Sequence, residues 1–261
     1  MIAYYPVPNF PPIAISNCKL MCKHCMGKYL EGMKKIFDGK KLLEYGNKHE
    51  LNGMLISGGF DKNGRLINLK KMLPSMKILR EKMCVAIHPG FIDKNIAHEI
   101  YESADIAFID LPCDNGIKNV FGLNATTDDY FKNMELLLNE GMKVSPHITV
   151  GLNYGNIEEW EILDRVKNHK IEKLVIDVIM PTKGTPFENV KINMDELSKF
   201  FDEAKRKIKR LALGCMRPRN GVDAIAYRHG IKEIAVPSIK LTKYIEEREK
   251  IIKKDICCGC P

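Results

Sequence analysis

Near its start the chain places Cys18, Cys22 and Cys25 in the run NCKLMCKHCMGKYLEGM, a C-x3-C-x2-C spacing. Soft thiolates select zinc, cuprous copper or iron–sulfur clusters. Three of them fall one short of a closed tetrathiolate site. A [4Fe–4S] cube held at three corners leaves its fourth iron open to an outside ligand such as a small chelating molecule. A second reading joins Cys22 and Cys25 to Cys257 and Cys260 as a tetrahedral zinc site. Zinc ribbons enclose roughly 15 to 20 residues between their pairs, whereas here almost the whole chain intervenes. Unligated core thiols are the third reading.

A second group of thiols closes the sequence. Cys257, Cys258 and Cys260 fall within DICCGCP, and three thiols in four positions are hard to explain by core packing. Gly259 gives the chain freedom to bend around a metal. These cysteines are expected to hold an auxiliary iron–sulfur cluster, with Cys215 or Cys113 as a fourth ligand. Zinc, redox-active thiols and a disordered tail are the alternatives. Cys215 stands in GCMRPR beside Arg217 and Arg219. Positive charge there favours the thiolate, and guanidinium groups bind carboxylate or phosphate. Cys84 starts its strand and is expected in the core or toward the opposite barrel end.

The elements that must position these residues follow from periodicity. Short apolar runs alternate with longer amphipathic stretches, the pattern of parallel strands joined by helices. Strands are expected at 13–16, 54–57, 84–88, 106–111, 144–150, 174–179, 211–215 and 233–236. Helices are expected at 41–49, 69–82, 92–103, 128–139, 157–168, 195–210, 222–229 and 239–252, with Thr127 and Asn193 as caps. The fold class is α/β: a parallel (β/α)8-like TIM barrel, complete or nearly complete, over residues 1–252, followed by a cysteine-rich tail, 253–261. Reactive groups of such barrels collect at the carboxyl ends of the strands, and the triad directly follows the first expected strand.

Composition is consistent with this plan. At 261 residues, 45% hydrophobic, the chain matches the length α/β barrels reach as one domain. No apolar run of membrane-spanning length occurs, and the first residues lack the features of a secretory signal. A soluble, cytoplasmic protein is expected, with no membrane association. Nine cysteines, an odd number, then read as ligands or reactive thiols rather than disulfides. The net charge of +8 comes mainly from Lys-rich segments such as KRKIKR and KYIEEREKIIKK. Intermixed acidic residues make these a solvated face first and an attraction for an acidic partner second. No basic stripe with interleaved aromatics suggests nucleic acid.

Further segments lie at the same strand ends. Ser57-Gly58-Gly59 closes the second expected strand, and its adjacent glycines let backbone approach a ligand. Thr149, Gly151 and Asn153 close the fifth, in HITVGLNYG. Met180 opens the polar loop MPTKGTP after the sixth, in a position suited to cofactor or substrate contact. His147 reads as a buried histidine satisfied by backbone.

Together, Cys18-x3-Cys22-x2-Cys25, Gly27-Lys28-Tyr29-Leu30-x2-Met33, Ser57-Gly58-Gly59, Gly151 and CMRPR resemble the radical S-adenosylmethionine (SAM) superfamily, in its biotin-synthase-like group. The style is particularly similar to archaeal two-component lipoyl synthase proteins. The resemblance implies that Cys18, Cys22 and Cys25 hold a [4Fe–4S] cluster whose open iron binds the amino and carboxylate groups of SAM. Reductive cleavage then makes a 5'-deoxyadenosyl radical. It implies contact of Ser57, Gly58 and Gly59 with the methionyl amino group, Phe60 replacing the family's Glu and leaving recognition to backbone. Thr149, Gly151 and Asn153 are similar to the segment that supports adenine. Met180 and Arg217 complete the expected cofactor contacts. The closer resemblance implies carbon–sulfur bond formation on an octanoyl-lysyl arm of an acidic lipoyl carrier, with Cys215, Cys257, Cys258 and Cys260 on the sulfur-supplying auxiliary cluster. A small-molecule substrate, a second radical SAM subunit and an external electron donor are the other expected partners. Radical rearrangement or carbon–carbon bond formation on a small metabolite is the alternative chemistry, and a non-catalytic iron–sulfur electron carrier the non-enzymatic one.

Overall fold

The computed structural model describes all 261 residues. In chain order the first half contains β1 (Ile2–Tyr4), β2 (Pro12–Ala14), a 3-10 turn (Lys28–Gly32), β3 (Lys34–Lys35), α1 (Gly39–Lys48), β4 (Gly53–Ser57), α2 (Leu69–Arg80), β5 (Cys84–Ile87), α3 (Lys94–Ser103), β6 (Ile106–Asp110) and α4 (Asp114–Gly116). A π-helical turn (Ile117–Phe121) leads to α5 (Thr127–Asn139), β7 (Lys143–Val150), α6 (Trp160–Val166) and β8 (Leu174–Val178). The rest comprises α7 (Met194–Lys207), β9 (Leu211–Leu213), α8 (Val222–Arg228), β10 (Glu233–Ala235), α9 (Ile239–Glu246) and β11 (Ile252–Lys254).

All strand pairs are parallel, in the order β11-β1-β10-β9-β8-β7-β6-β5-β4-β2-β3. The ends β11 and β3 do not pair, so the sheet curls as a half-barrel of the expected TIM-like class. Strands covered on both faces must be apolar on both, and β8 is buried throughout. Period-two alternation sorts its residues. Leu174, Ile176 and Val178 join the large outer core beneath the helices, whereas Val175 faces inward with Tyr4, Ala212 and Ala235. In β6, Ala107 and Ile109 face the helices, while Ile106 and Phe108 face inward with Phe10 and Ala86.

The eight expected strands correspond to β2 and β4 through β10. Three short strands were not expected. β3 holds only two exposed lysines, and nothing apolar marks it. The helix expected over 239–252 ends at Glu246, because Ile252–Lys254 pairs with β1 and becomes β11. Tertiary pairing overrides the helical periodicity of that run. Asn193 caps α7 as expected, accepting from the backbone N–H of Asp195 and Glu196. Thr126, not Thr127, caps α5, through a reciprocal capping box with Asp129.

Beyond β11 the tail turns into the barrel. Asn52 Nδ2 donates to the Asp255 carbonyl at 3.2 Å, joining the tail to the start of β4. Ile256, Cys257, Cys258 and Cys260 then pack on the inward faces of β5, β6, β8 and β9. Ser145 Oγ donates to the Gly259 carbonyl at 2.7 Å. A Cβ at Gly259 would lie 2.4 Å from the Phe108 ring, so only glycine fits there. The barrel is therefore floored by its own tail.

Candidate functional site

A cavity of about 460 Å³ occupies the barrel above this floor. Cys18, Cys22 and Cys25 line its mouth, while Cys257 and Cys258 line its depth. The triad loop leaves the carboxyl end of β2, where barrel architecture puts reactive groups. Met21 and Met26, with φ of 56° and 47°, are in the left-handed region, unusual for residues with side chains. Such backbone persists only when neighbours dictate it. Here Lys19 and Leu20 N–H donate to the Phe60 carbonyl at 2.9 and 2.8 Å, and Lys23 N–H to Val120 at 2.9 Å.

Ser57-Gly58-Gly59 underpins the loop. Gly59 N–H donates to Ser16 Oγ at 3.0 Å, which donates back to the Gly59 carbonyl at 2.9 Å. A Cβ at Gly59 would lie 2.1 Å from the Cys18 nitrogen, so this backbone is seated directly on the first cysteine. The 3-10 turn after the triad is fastened to the loop after β8. Tyr29 and Thr182 hydroxyls bond at 3.1 Å, and Lys28 Nζ donates to the Lys183 carbonyl at 2.8 Å.

The donor set fits a metal cluster. Burial, reinforced by Cys25 and Cys18, pushes the Cys22 thiol far up, and burial pushes Cys25 up to about 11. Neither Lys nor Arg lines the cavity, so thiolates here lack a permanent protein cation, and buried charge demands a counter-charge. Iron would supply it. No three His, Cys, Asp or Glu side chains are grouped closely enough to bind one ion. The set Cys22, Cys25, Cys257 and Cys260 therefore does not assemble for a single zinc ion.

The expected cofactor contacts divide. Ser57, Gly58, Thr149 and Met180 line the cavity, and Gly59 lies just behind Cys18. Gly151 belongs to the turn after β7, its N–H donating to Glu159 at 3.0 Å. Asn153 Nδ2 donates to Glu158 at 2.8 Å, and its carbonyl accepts from Asn119 at 3.2 Å. Arg217 is buried and directed at the backbone carbonyls of Gly214 and Val236, and Arg219 donates to Val236 and Cys215 carbonyls at 3.0 and 3.2 Å. These guanidiniums fasten the β9 and β10 loops rather than face the cavity. Cys215 lines it, with its thiol pushed up to about 12, mostly by burial, with Asp177 and Cys257 adding to it. Cys113 lies elsewhere, its Sγ 3.4 Å from buried Glu159.

The sequence reading passed over four polar groups inside the cavity: His24, His88, Asp110 and Asp177. Inward alternation from Phe108 to Asp110 and from Val175 to Asp177 marks the carboxylates. His88 bridges Ser57 Oγ at 3.4 Å and Asp110 Oδ2 at 3.1 Å. Burial works against charge on His88, but the Asp110 carboxylate outweighs it and raises the imidazole. Burial pushes Asp177 up to about 7, with Asp110 adding to it. His147 Nδ1 donates to the Ser145 carbonyl at 3.1 Å, as read from sequence, and burial pushes it down to about 4. His24, between two of the cysteines, keeps a buried Nδ1 without a hydrogen-bond partner.

No protein-family model matches this chain, and no curated protein matches it in sequence. Solved structures do match in shape. Methylornithine synthase (PylB) aligns with a TM-score of 0.60 at 15% identity, over 88% of this chain and 73% of that one. SuiB of Streptococcus suis bound to S-adenosylmethionine aligns with a TM-score of 0.57 at 18% identity, over 78% of this chain. SuiB bound to its precursor peptide SuiA aligns with a TM-score of 0.54 at 15% identity, over 94% of this chain. The aligned barrel spans 51% of SuiB, so this chain corresponds to about half of that protein. At these identities the likeness establishes a shared fold.

Proposed function

We propose that this chain is a radical SAM enzyme. The observation that carries the reading is a three-thiol loop at the carboxyl end of β2, seated on Gly59 and opening into a cavity without Lys or Arg. A fold shared with a protein solved with bound SAM supports it. A [4Fe–4S] cluster, when bound, supplies the electron that cleaves SAM to a 5'-deoxyadenosyl radical. Cys18, Cys22 and Cys25 hold it. Ser57, Gly58 and Gly59 offer backbone to the methionyl end, while Thr149 and the Gly151 to Asn153 turn carry the adenine side. Met180 and the apolar walls keep water from the reacting carbon. Arg217 acts by holding the loop that carries Cys215.

The finer reading is sulfur insertion of the lipoyl-synthase-like kind. It is supported by Cys215, Cys257 and Cys258 lining the same cavity as the triad. On this reading the tail cysteines hold an auxiliary cluster as sulfur source, and Cys215 reaches the same cavity from the barrel wall. An uncharged octanoyl-lysyl arm suits a cavity lined mostly by apolar side chains, and the net charge of +8 suits an acidic carrier. A second radical SAM subunit and an external electron donor complete the reaction.

The test is anaerobic reconstitution followed by reduction with dithionite in the presence of SAM. 5'-Deoxyadenosine and methionine are the expected products. Iron-loaded protein that leaves SAM intact would instead be an electron carrier. One cluster per chain with a sulfur-free product would turn the assignment to radical rearrangement.

A further inference from the structure

Of nine cysteines, one was assigned from sequence merely to the interior or the far barrel end. Cys84 opens β5 and, alternating with outward-facing Val85, points inward to pack on the same cluster as Cys260. Cys257 packs on that cluster too, and also on the neighbouring one that holds Cys258. Four thiols, three from the tail and one from β5, thus share one floor. Cys215 belongs to neither cluster and instead lines the cavity beyond the end of β9.

The pocket is built to hold this arrangement. Phe10, Ile106 and Phe108 enclose the Cys84–Cys260 side, and Tyr4, Val175 and Ala235 enclose the Cys258 side. The 257–260 turn is closed by the Cys260 N–H on the Cys257 carbonyl at 3.0 Å, and buried Ser145 fixes Gly259. Free thiols can fill a core as small hydrophobes. Core filling does not require four of them on adjoining clusters from two parts of the chain, nor a glycine turn seated on Phe108. Four thiols are the donor set of a fully ligated iron–sulfur cluster. No three of these sulfurs meet as tightly as ligands of a single ion must, whereas a cluster spreads its ligands over several irons.

We infer that Cys84 is a ligand of the second cluster, completing a set with Cys257, Cys258 and Cys260 on the barrel floor in place of Cys215. The inference deepens the sulfur-insertion reading and rests on it. Each iron–thiolate bond that forms releases one thiol proton, and the iron and sulfide come from solution.

The test uses the full chain with Cys18, Cys22 and Cys25 all replaced by Ala, so that iron retained after anaerobic reconstitution with iron salt and sulfide reports the floor alone. Iron, acid-labile sulfide and the Mössbauer spectrum are read per chain. Adding Cys84→Ser is expected to lower the retained iron at least fivefold, while adding Cys215→Ser or Cys113→Ser leaves it. Unchanged iron and spectrum with Cys84→Ser, or loss with Cys215→Ser alone, overturns the assignment. No iron in the triple variant also overturns it, while the SAM cleavage of the unmutated protein stands as a separate result. To guard against a misfolded Cys84→Ser, alkylation of the unmutated protein is mapped by mass spectrometry. Cys84 and Cys260 should be protected together when iron is loaded and become reactive together on chelation. Labelling of Cys84 in loaded protein equal to that after chelation refutes the idea without any mutation.

Discussion

The two thiol groups face each other across one cavity and are built in opposite ways. At the mouth, three cysteines sit on an irregular loop with two non-glycine residues in left-handed backbone. On the floor, thiols sit on a strand and a tight turn, enclosed by aromatic and aliphatic side chains. An irregular loop leaves backbone and one coordination position free for an exchanging ligand. An enclosed pocket protects what it holds from solvent. On the proposed function, the difference separates a site that admits and releases a cofactor from one that retains a cluster until the reaction consumes it.

The sharpest way to break this comparison is to remove one sulfur from each end. Cys22→Ala is expected to abolish reductive SAM cleavage, a loss of more than about 100-fold, since removal of mere outer partners costs up to that much. Cys258→Ser is expected to leave SAM cleavage measurable while removing the second portion of iron and any sulfur-containing product. Equal loss of both clusters in each variant, measured as iron and labile sulfide per chain, would merge the two sites into one.

A smaller effect comes from the glycines beneath each site. Gly59→Ala drives a methyl group against the Cys18 backbone and Gly259→Ala drives one against Phe108. Overpacking of this kind costs about 1–3 kcal/mol. Gly59→Ala should lower iron at the mouth and spare the floor, and Gly259→Ala should do the reverse. Spectra of the two variants that change alike would show the ends to be mechanically joined.

The mouth was legible in the sequence because its chemistry is local. Cys18, Cys22 and Cys25 lie within eight consecutive residues of one loop, and the strand preceding them is a short apolar run. The barrel was legible for the same reason, each βα repeat carrying its own apolar signal. The floor was only half legible. Three tail thiols stood out as expected ligands, but Cys84 is 173 positions from Cys257 in the numbering, and only the curl of the sheet brings them together. β11 escaped notice because its pairing with β1 depends on a partner 250 residues away. Asp110 and Asp177 were missed for a different reason: each ends or nears the end of an apolar strand, where a carboxylate reads as a boundary until the inward face is known. Arg217 misled through adjacency. Its neighbour Cys215 faces the cavity while its own guanidinium is engaged by Gly214 and Val236 carbonyls.

The finest distinction between mouth and floor is their opposite response to pH. Glu159 braces the turn after β7, accepting from the N–H groups of Gly151, Leu152 and Glu158 at 3.0, 3.3 and 3.1 Å. Burial nevertheless pushes its carboxyl up to about 7 from 4.5. The folded chain therefore holds this proton more tightly than the unfolded chain, and stability falls as pH rises from about 4.5 through 7. On the floor side, Glu233 is paired with Lys173 at 2.8 Å and Arg210 at 2.8 Å. Burial opposes its ionisation, but Arg210, Lys173 and Tyr4 outweigh that and hold it down to about 2. Its contribution is present above about 4.5 and is lost as pH falls toward 2. Glu159→Gln, which cannot ionise, should flatten the decline in Tm between pH 5 and pH 8, an effect on the order of 2–3 kcal/mol at 1.36 kcal/mol per pKa unit. Glu233→Gln should leave that neutral-side decline in place and remove the acid-side one. Calorimetric scans of the unmutated chain and both variants across pH 3 to 8 measure both slopes. A Glu159→Gln profile parallel to that of the unmutated chain would mean that the mouth's carboxylate is already ionised at pH 5 and that its three N–H donors, not its burial, govern it.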